Sequence, residues 1–433
     1  MVSTLIIRFH ILTPLYLGGA EQQADLRAPS IKGLLRFWYR AMDPSFAERM
    51  EVEREDYQEL LPCTREDHFF GGVRGAARQS PFLLRVASEA LRPFVWEPQR
   101  FSAFNTGGGN GSRNGLTYLG FPFHMLAQQK ERDGGSPPRS GESRGKRASQ
   151  PNADKGQGRT AFAPQQAFTV RCVFPRQPDV QLRRSVLASF WLLGHLGSLG
   201  SRGRRGFGSV MLREWGMEEG EPFPELDELR PLTGLSKIED WEPGLERALA
   251  RFRTWFPDSG SAQRQASEPL KHPHLGEKFR WVLMPDGLEG WQRALDHAGT
   301  KLQEFRQRKS PDYEDVKGHI LAESKQGSRF LRATPERATF GLPLTFRYRS
   351  VPEGRPVTFV PWTEDTRNPL ERHGSLLHLR LVEIGKRLHP LFFRLDGAVP
   401  GMDPPAVIRG QPRPLQRPMS NAMDGFLDWL KRG

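Results

Sequence analysis

The chain is 433 residues long, with 63 Lys and Arg against 50 Asp and Glu, a formal net charge of +13 and a pI near 10.0. That length exceeds what one hydrophobic core usually serves, so two domains are expected, and the charge points to polyanionic partners, nucleic acid first. No apolar run reaches the ~18 to 20 residues of a membrane-spanning helix, the start MVSTLIIRFH lacks a signal peptide's basic segment, and Cys63 and Cys172 are too few and too far apart for a disulfide framework or a thiolate zinc site; a cytoplasmic protein with no membrane partner, no cofactor and no metal is expected.

In chain order, Thr4 to Leu12 reads as a strand and Ser30 to Met42 as a helix, with Ser30 as its N-cap and Asp43-Pro44 as its stop. At about 100° per residue, Ile31, Leu34, Leu35, Trp38 and Met42 share one side of that helix, and Lys32, Arg36 and Arg40 form a basic stripe on another. Arg27 extends the stripe upstream. Tyr39 borders it and Phe37 borders the opposite edge of the apolar face, which leaves an aromatic ring beside the cations for stacking on an unpaired base. The stripe reads either as a solvated face over an ordinary core or as a phosphate-contacting surface.

Further strands are predicted near Phe82 to Ala87, Leu116 to Phe121 and Phe168 to Phe174, a second helix over Leu182 to Leu193, and a returning strand from Phe207 to Trp215. The glycine-rich run 105–115 is expected as a hairpin tip. Residues 127–160 contain no Val, Ile, Leu, Met, Phe, Trp or Tyr and read as a long, basic, disordered insertion. Strand, helix, strands, helix, strand is the ferredoxin-like split βαβ order, also the scaffold of the RNA recognition motif.

After the second predicted helix comes GHLGSLGSRGRRGFG, residues 194–208, in which Gly200, Gly203, Gly206 and Gly208 alternate with Arg202, Arg204 and Arg205. Glycine permits the positive φ angles that turn successive backbone N–H groups inward as an anion nest, and the arginines supply bidentate phosphate donors beside it. No Gly-Lys-Ser/Thr follows, so this is not a P-loop.

A junction is expected over 217–278, separating a first domain at 1–216 from a second at 279–433. The second half reads as a strand at Phe279 to Met284, a helix at Leu288 to Arg308, strands at Thr339 to Arg349, Pro356 to Pro361, Leu376 to Ile384 and Leu391 to Leu395, and a last amphipathic helix capped by Ser420. The whole is α+β: two ferredoxin-like (RRM-like) domains, the second degenerate.

Five segments carry a resemblance: TPLYLGGAEQQADLRAPSIKGLLRFWYRAM (Thr13 to Met42), EDHFFGG (Glu66 to Gly72), LGSLGSRGRRGFGSV (Leu196 to Val210), TFGLPLTF (Thr339 to Phe346) and RHGSLLHLRLVEI (Arg372 to Ile384). Together they resemble the RAMP superfamily of CRISPR effector proteins, and within it the first-subunit family of the type III-B Cmr complexes. The resemblance implies a non-catalytic subunit that holds the 3′ portion of the CRISPR RNA, aids capture of target RNA and contacts other RAMP subunits, with cleavage belonging elsewhere. It also implies that the family's basic helix corresponds to Lys32, Arg36, Trp38, Tyr39 and Arg40, and its glycine-rich loop to Gly200 through Gly208. The loop reads SRGRRGFG where relatives tend to carry Ser-Arg-Ser-Arg-Arg. The competing enzymatic reading is a metal-independent RAMP-type endoribonuclease using a histidine such as His10 or His195 on precursor RNA. A third reading makes the arginines protein-interface anchors.

Overall fold

A computed structural model of the chain describes residues 2–18, 23–54, 59–72, 79–88, 91–95, 114–120, 160–257, 272–307, 310–324, 331–348, 350–351, 354–364, 370–411 and 413–433. The stretches 105–113, 127–159 and 258–271, which carry the expected hairpin tip, the basic insertion and part of the expected junction, lie outside the described residues.

The chain opens with β1 (Ser3–Ile11) and α1 (Ala28–Met42), followed by an antiparallel hairpin of β2 (Arg49–Arg54) and β3 (Glu59–Thr64) and the short α2 (Arg65–Phe70). Then come β4 (Leu83–Ala87), β5 (Pro93–Val95), α3 (Gly115–Leu119), β6 (Thr160–Phe162), β7 (Ala167–Phe174), α4 (Val180–His195) and β8 (Val210–Glu219). β1 alternates, with Leu5, Ile7, Phe9 and Ile11 buried and Arg8 exposed between them. That period of two requires a sheet with one face packed on a core. The sheet is antiparallel in the order β4–β7–β1–β8. Within this unit the order is second, third, first, fourth strand, with α1 and α4 as its helices, which is the split βαβ arrangement.

α1 begins three residues earlier than the Ser30 cap predicts. Arg27 is the extended N-cap, and a proline sits in the first turn, where its fixed φ suits the helix and its missing N–H costs nothing. The predicted strand at Leu116 is also corrected. Asn114 Oδ1 accepts from Thr117 N at 2.8 Å and starts a helical turn. Gly115 then sits so close to the following half that an added Cβ would lie 2.0 Å from Asp296 O.

The expected junction contains structure of its own: α5 (Glu225–Glu228) and the 18-residue α6 (Ile238–Trp255). α6 buries Trp241, Leu245, Phe252 and Trp255 in the core that also holds β1, α1 and α4. Its apolar positions recur three to four apart, the spacing of a helix packed on one side.

The second half runs β9 (Arg280–Leu283), α7 (Trp291–Arg306), α8 (Asp312–Ser324), β10 (Leu344–Phe346), β11 (Val357–Pro361), β12 (Leu377–Ile384), β13 (Arg387–Arg394), β14 (Ala406–Ile408) and α9 (Ala422–Lys431). The predicted strand from Thr339 is replaced at its start by a 3-10 turn, Glu336–Phe340. Asn421 rather than Ser420 caps α9, its Oδ1 accepting from Met423 N at 3.1 Å. β12, β13 and β9 form a three-stranded antiparallel sheet in the order β12–β13–β9, and β10, β11 and β14 form another.

The halves share their interior. One buried cluster runs from Leu5 and Trp38 to Val382, Phe393 and Leu395, and a second joins Tyr16 and Phe207 to Leu295, Leu379 and Phe426. Arg380, on β12, is 1% exposed. Its Nη1 donates to Gly197 O (2.9 Å), and Nη2 to Gly194 O (3.1 Å) and Val210 O (2.7 Å). A cation from the second half thus meets the carbonyl end of α4, where the helix dipole is negative and carbonyls lack helical partners.

Candidate functional site

Immediately after α4 the chain makes the arginine-glycine loop, which folds as a 3-10 turn, Gly203–Arg205. Gly200, Gly206 and Gly208 have φ of 79°, 86° and 66°, and a Cβ would lie 2.4 Å from Tyr16 O, 2.4 Å from Leu295 Cδ2 and 1.8 Å from Leu199 O respectively. These glycines are therefore fixed by backbone conformation and close packing at once. Arg202 also takes φ 62° without being glycine, a conformation that costs on the order of 1 to 3 kcal/mol and is tolerated only where the surroundings enforce it.

Part of the expected anion nest is engaged within the protein. Gly208 N donates to Pro14 O (2.9 Å), Ser201 N to Tyr16 O (2.8 Å), Arg205 N to Arg202 O (2.8 Å) and Gly206 N to Gly203 O (3.4 Å). Thr13 Oγ1 and Ser209 Oγ both donate to Gly206 O. Four of the loop's N–H groups are thus spent inside the protein, while those of Arg202, Gly203 and Arg204 meet no backbone acceptor among the described residues and stand beside the arginine side chains.

Those side chains meet in a cleft of about 620 Å³. Arg202, Arg204 and Arg205 line it from the loop, Arg306 from the end of α7, Phe37 and Trp38 from α1, and Phe340 to Leu344 and His373 to Ser375 from the second half. Arg204 Nη1 donates to Ser375 O at 2.7 Å and rests against Gly374, where a Cβ would lie 2.6 Å from it. Arg306 Nη1 donates to Tyr118 Oη at 2.6 Å, and its guanidinium lies 5.2 Å from the Phe340 ring centre. Among the described residues none of these four guanidiniums is ion-paired with a carboxylate. Burial, and then the repulsion of Arg306, pushes Arg205 down to about 10, so it remains charged at neutral pH. Burial and then Arg204 and Arg205 push His378, on the cleft wall, well below the usual histidine range. Four crowded cations with no carboxylate partner among the described residues, beside apolar walls, form a place for a ligand that brings negative charge and a flat apolar group.

Of the residues read from the sequence, Trp38, Gly200, Arg202, Gly203, Arg204 and Arg205 are brought together here. Gly206 and Gly208 support the loop from behind. α1 reaches the cleft by its aromatic edge, and the stripe Lys32, Arg36 and Arg40 faces elsewhere. Arg36 Nε pairs with Glu66 Oε1 (2.5 Å), Nη2 with Asp67 Oδ1 (3.0 Å), and Nη1 donates to Gly71 O (2.6 Å). Arg40 Nε lies 3.4 Å from the same Glu66 oxygen. Lys32 lies over the Phe82 ring at 5.3 Å, and Arg27 pairs with Asp25 at 3.0 Å. The Glu66 to Gly72 segment is therefore the clamp on α1: a Cβ on Gly72 would lie 2.2 Å from Asp67 Oδ1.

Tyr39 is a second correction. It is fully buried, with its ring 5.1 Å from Phe70 and 5.9 Å from Phe69 and its hydroxyl donating to Asp43 Oδ2 at 2.6 Å. Desolvation and Asp43 raise its pKa. No base reaches that ring. Phe37, set edge-on to the buried Trp38 at 5.3 Å, is the more exposed of the two α1 aromatics that line the cleft.

The histidines weighed as catalysts are also placed. His195 is buried, stacked on Trp191 at 3.9 Å, with Nδ1 2.7 Å from Trp191 O and Nε2 accepting from Leu232 N at 2.9 Å. Burial pushes it down to about 3, so the ring is neutral and fully engaged inside the protein. His10 lies half-buried, 3.1 Å from Arg213 Nη2, its pKa lowered by burial and then by that arginine. Among the described residues no three His, Cys, Asp or Glu side chains cluster as metal ligands, and no helix is long and apolar enough to cross a membrane. Sequence reasoning missed Arg306, Phe340 and Arg380. Phe340 and Arg380 lie over a hundred residues from the loop, in the second-half segments that carry the resemblance, while no motif pointed to Arg306.

The RAMP superfamily model matches residues 8–211, from β1 through the arginine-glycine loop to the start of β8. Over this segment, a little under half of the chain, the sequence is similar to the RAMP superfamily. No curated protein matches the chain. The fold is similar to that of Cmr1 from Pyrococcus furiosus in its apo form, with 15% identity, a TM-score of 0.54, and 99% of this chain and 95% of that one covered. It is also similar to a chain of the type III-B Cmr-beta assembly bound to cognate target RNA and AMPPnP in the presence of ssDNA, with 12% identity, a TM-score of 0.51, and coverage of 100% and 99%. At such identities the likeness is one of fold.

Proposed function

We propose that this chain is a non-catalytic RNA-binding subunit of a type III-B CRISPR effector complex, holding the 3′ portion of the CRISPR RNA and aiding capture of target RNA beside other RAMP subunits. The observation that carries the reading is the convergence of Arg202, Arg204, Arg205 and Arg306, unpaired with any carboxylate among the described residues, on a cleft with aromatic walls. Guanidiniums take phosphate oxygens bidentately, and the half-buried Phe37 offers a ring to an unstacked base. The likeness to Cmr1 and to a chain of an RNA-bound Cmr assembly supports the same reading, as does the net charge of +13.

The test is single-stranded RNA binding by the reconstituted complex at several salt concentrations. Freeing one phosphate from its guanidinium reduces the slope of log affinity against log salt by ~0.7, so Arg202→Ala with Arg205→Ala is expected to lower it by about 1.4 for all sequences alike. Phe37→Ala is expected to lose roughly 1 to 3 kcal/mol of affinity with the slope unchanged. A double arginine variant with undiminished slope refutes the cleft as the RNA site. Cuts made in repeat RNA by the isolated chain in EDTA refute the non-catalytic reading.

A further inference from the structure

The two sheets with helices packed against them differ at one edge. In the first, β8 lies beside β1 and completes four strands. In the second, the equivalent place beside β9 is empty among the described residues, and β9 is an edge strand. Met284 N donates to Pro390 O at 2.9 Å. In the antiparallel register of Arg280↔Arg394 to Leu283↔Leu391, that bond directs the backbone groups of Arg280 and Val282 toward β13. The N–H and C=O of Trp281 and Leu283 therefore point outward, and no described backbone group bonds to them.

These groups open onto a groove of about 860 Å³ between β9, the first half of α6 and the end of α9. Glu239, Glu242 and Glu246 face it from α6, and among the described residues none of the three is ion-paired. Glu242 has its pKa raised, by burial first and by Glu246 next, with Lys431 opposing. The groove's own cations are largely engaged: Arg280 pairs with Asp424 and Asp428, and Lys301 lies over the Trp429 ring at 5.5 Å. His297, also on the groove wall, has a buried Nε2 with no hydrogen-bond partner among the described residues.

We infer that this groove is a strand-addition site, taking an extended segment of a partner protein that carries lysine or arginine. An open strand edge supplies main-chain donors and acceptors to any extended chain, while side-chain pockets and charges choose which one. The four residues of β9 match about 13 Å of extended peptide. The three carboxylates select a basic segment and repel phosphodiesters, so the groove is a protein site and the arginine cleft is separate from it. This inference does not depend on the cleft's ligand.

The probe is a short fluorescein-labelled peptide alternating Lys with Val and Thr, titrated into the full-length chain beside a control peptide with Glu at each Lys position. Saturable binding is expected for the Lys peptide only, with slowed amide exchange at Trp281 and Leu283. Affinity is expected to fall by about ten-fold or more in Glu239→Lys/Glu242→Lys/Glu246→Lys. Because Glu239 and Glu246 are exposed, Glu242 is only partly buried and none of the three is ion-paired among the described residues, that variant's thermal unfolding is expected to match wild type. Absence of saturable binding, equal binding of the Glu peptide, full affinity in the triple variant, or unchanged exchange at the two amides overturns the inference. Displacement of the peptide by oligo(U) RNA also overturns it and assigns the groove to nucleic acid.

Discussion

Arg36→Ala separates the reading of α1 as an exposed basic face from the packed arrangement observed. An exposed arginine would be nearly neutral for stability and important for RNA. In the structure the side chain is 28% exposed and its partners Glu66 and Asp67 only 12% and 10%, and its loss leaves the Gly71 carbonyl without its donor and the Asp67 carboxylate with only the Thr64 hydroxyl. Removing one partner of a buried pair costs on the order of 3 to 5 kcal/mol. Allowing for the residual solvent access, and for Arg40 remaining 3.4 Å from Glu66, we expect a loss of about 2 to 4 kcal/mol. The assay is urea unfolding of the purified chain, with RNA affinity measured in parallel at several salt concentrations. Expected are a lowered midpoint and an unchanged salt slope; Glu66→Gln with Asp67→Asn in the same background is expected to restore part of the loss, because no buried charge is then left unpaired. A variant of wild-type stability and diminished salt slope refutes the argument.

Tyr39→Phe is expected to cost about 1 to 2 kcal/mol, because Asp43 loses a buried donor, with RNA affinity unaltered; a selective loss of affinity in filter binding contradicts the burial. Arg380→Met is expected to destabilise by about 3 to 5 kcal/mol, leaving the Gly194, Gly197 and Val210 carbonyls unpaired, and a chain that unfolds in urea like wild type would show that water replaces it without loss. His195 has a folded pKa of about 3 against an unfolded value of about 6.5. Its stabilising effect is complete above pH 6.5; as pH falls from 6.5 toward 3 the unfolded chain gains a proton that the folded chain refuses, and stability drops by about 1.4 kcal/mol per pH unit. His195→Gln is expected to flatten that part of a stability-against-pH curve, and an unchanged slope would assign the titration elsewhere.

What was legible in the sequence followed local periodicity. Ile31, Leu35 and Trp38 announce the buried side of α1 by their spacing alone, and the glycines of 200–208 announce a backbone that no side chain tolerates. What was not legible depends on distant partners. A helical projection places Tyr39 beside the basic stripe, yet it cannot show that Phe69 and Phe70 cover that side, or that Glu66 and Asp67 come to Arg36 from thirty residues away. The loop's own bonding was hidden for a similar reason, because the Pro14 and Tyr16 carbonyls that take the N–H groups of Gly208 and Ser201 lie nearly two hundred residues upstream. The strand predicted at Leu116 gave way to a helix where Gly115 meets Gly299, a meeting of backbone with backbone that composition does not encode.

Arg380 has a further consequence for how the cleft meets a ligand. It joins β12 to the end of α4 and the start of β8 through three carbonyls on either side of the arginine-glycine loop, and Arg204 makes a second tie from the loop to Ser375. The two walls are thus held in register before anything binds. A hinged cleft would lose affinity in proportion to the time it spends open, and ordering its side chains would cost entropy at each encounter. Here that ordering is completed during folding, so any ligand of the cleft, RNA under the proposed function, meets walls already in register, and variation among ligands acts on contact geometry instead of on closure.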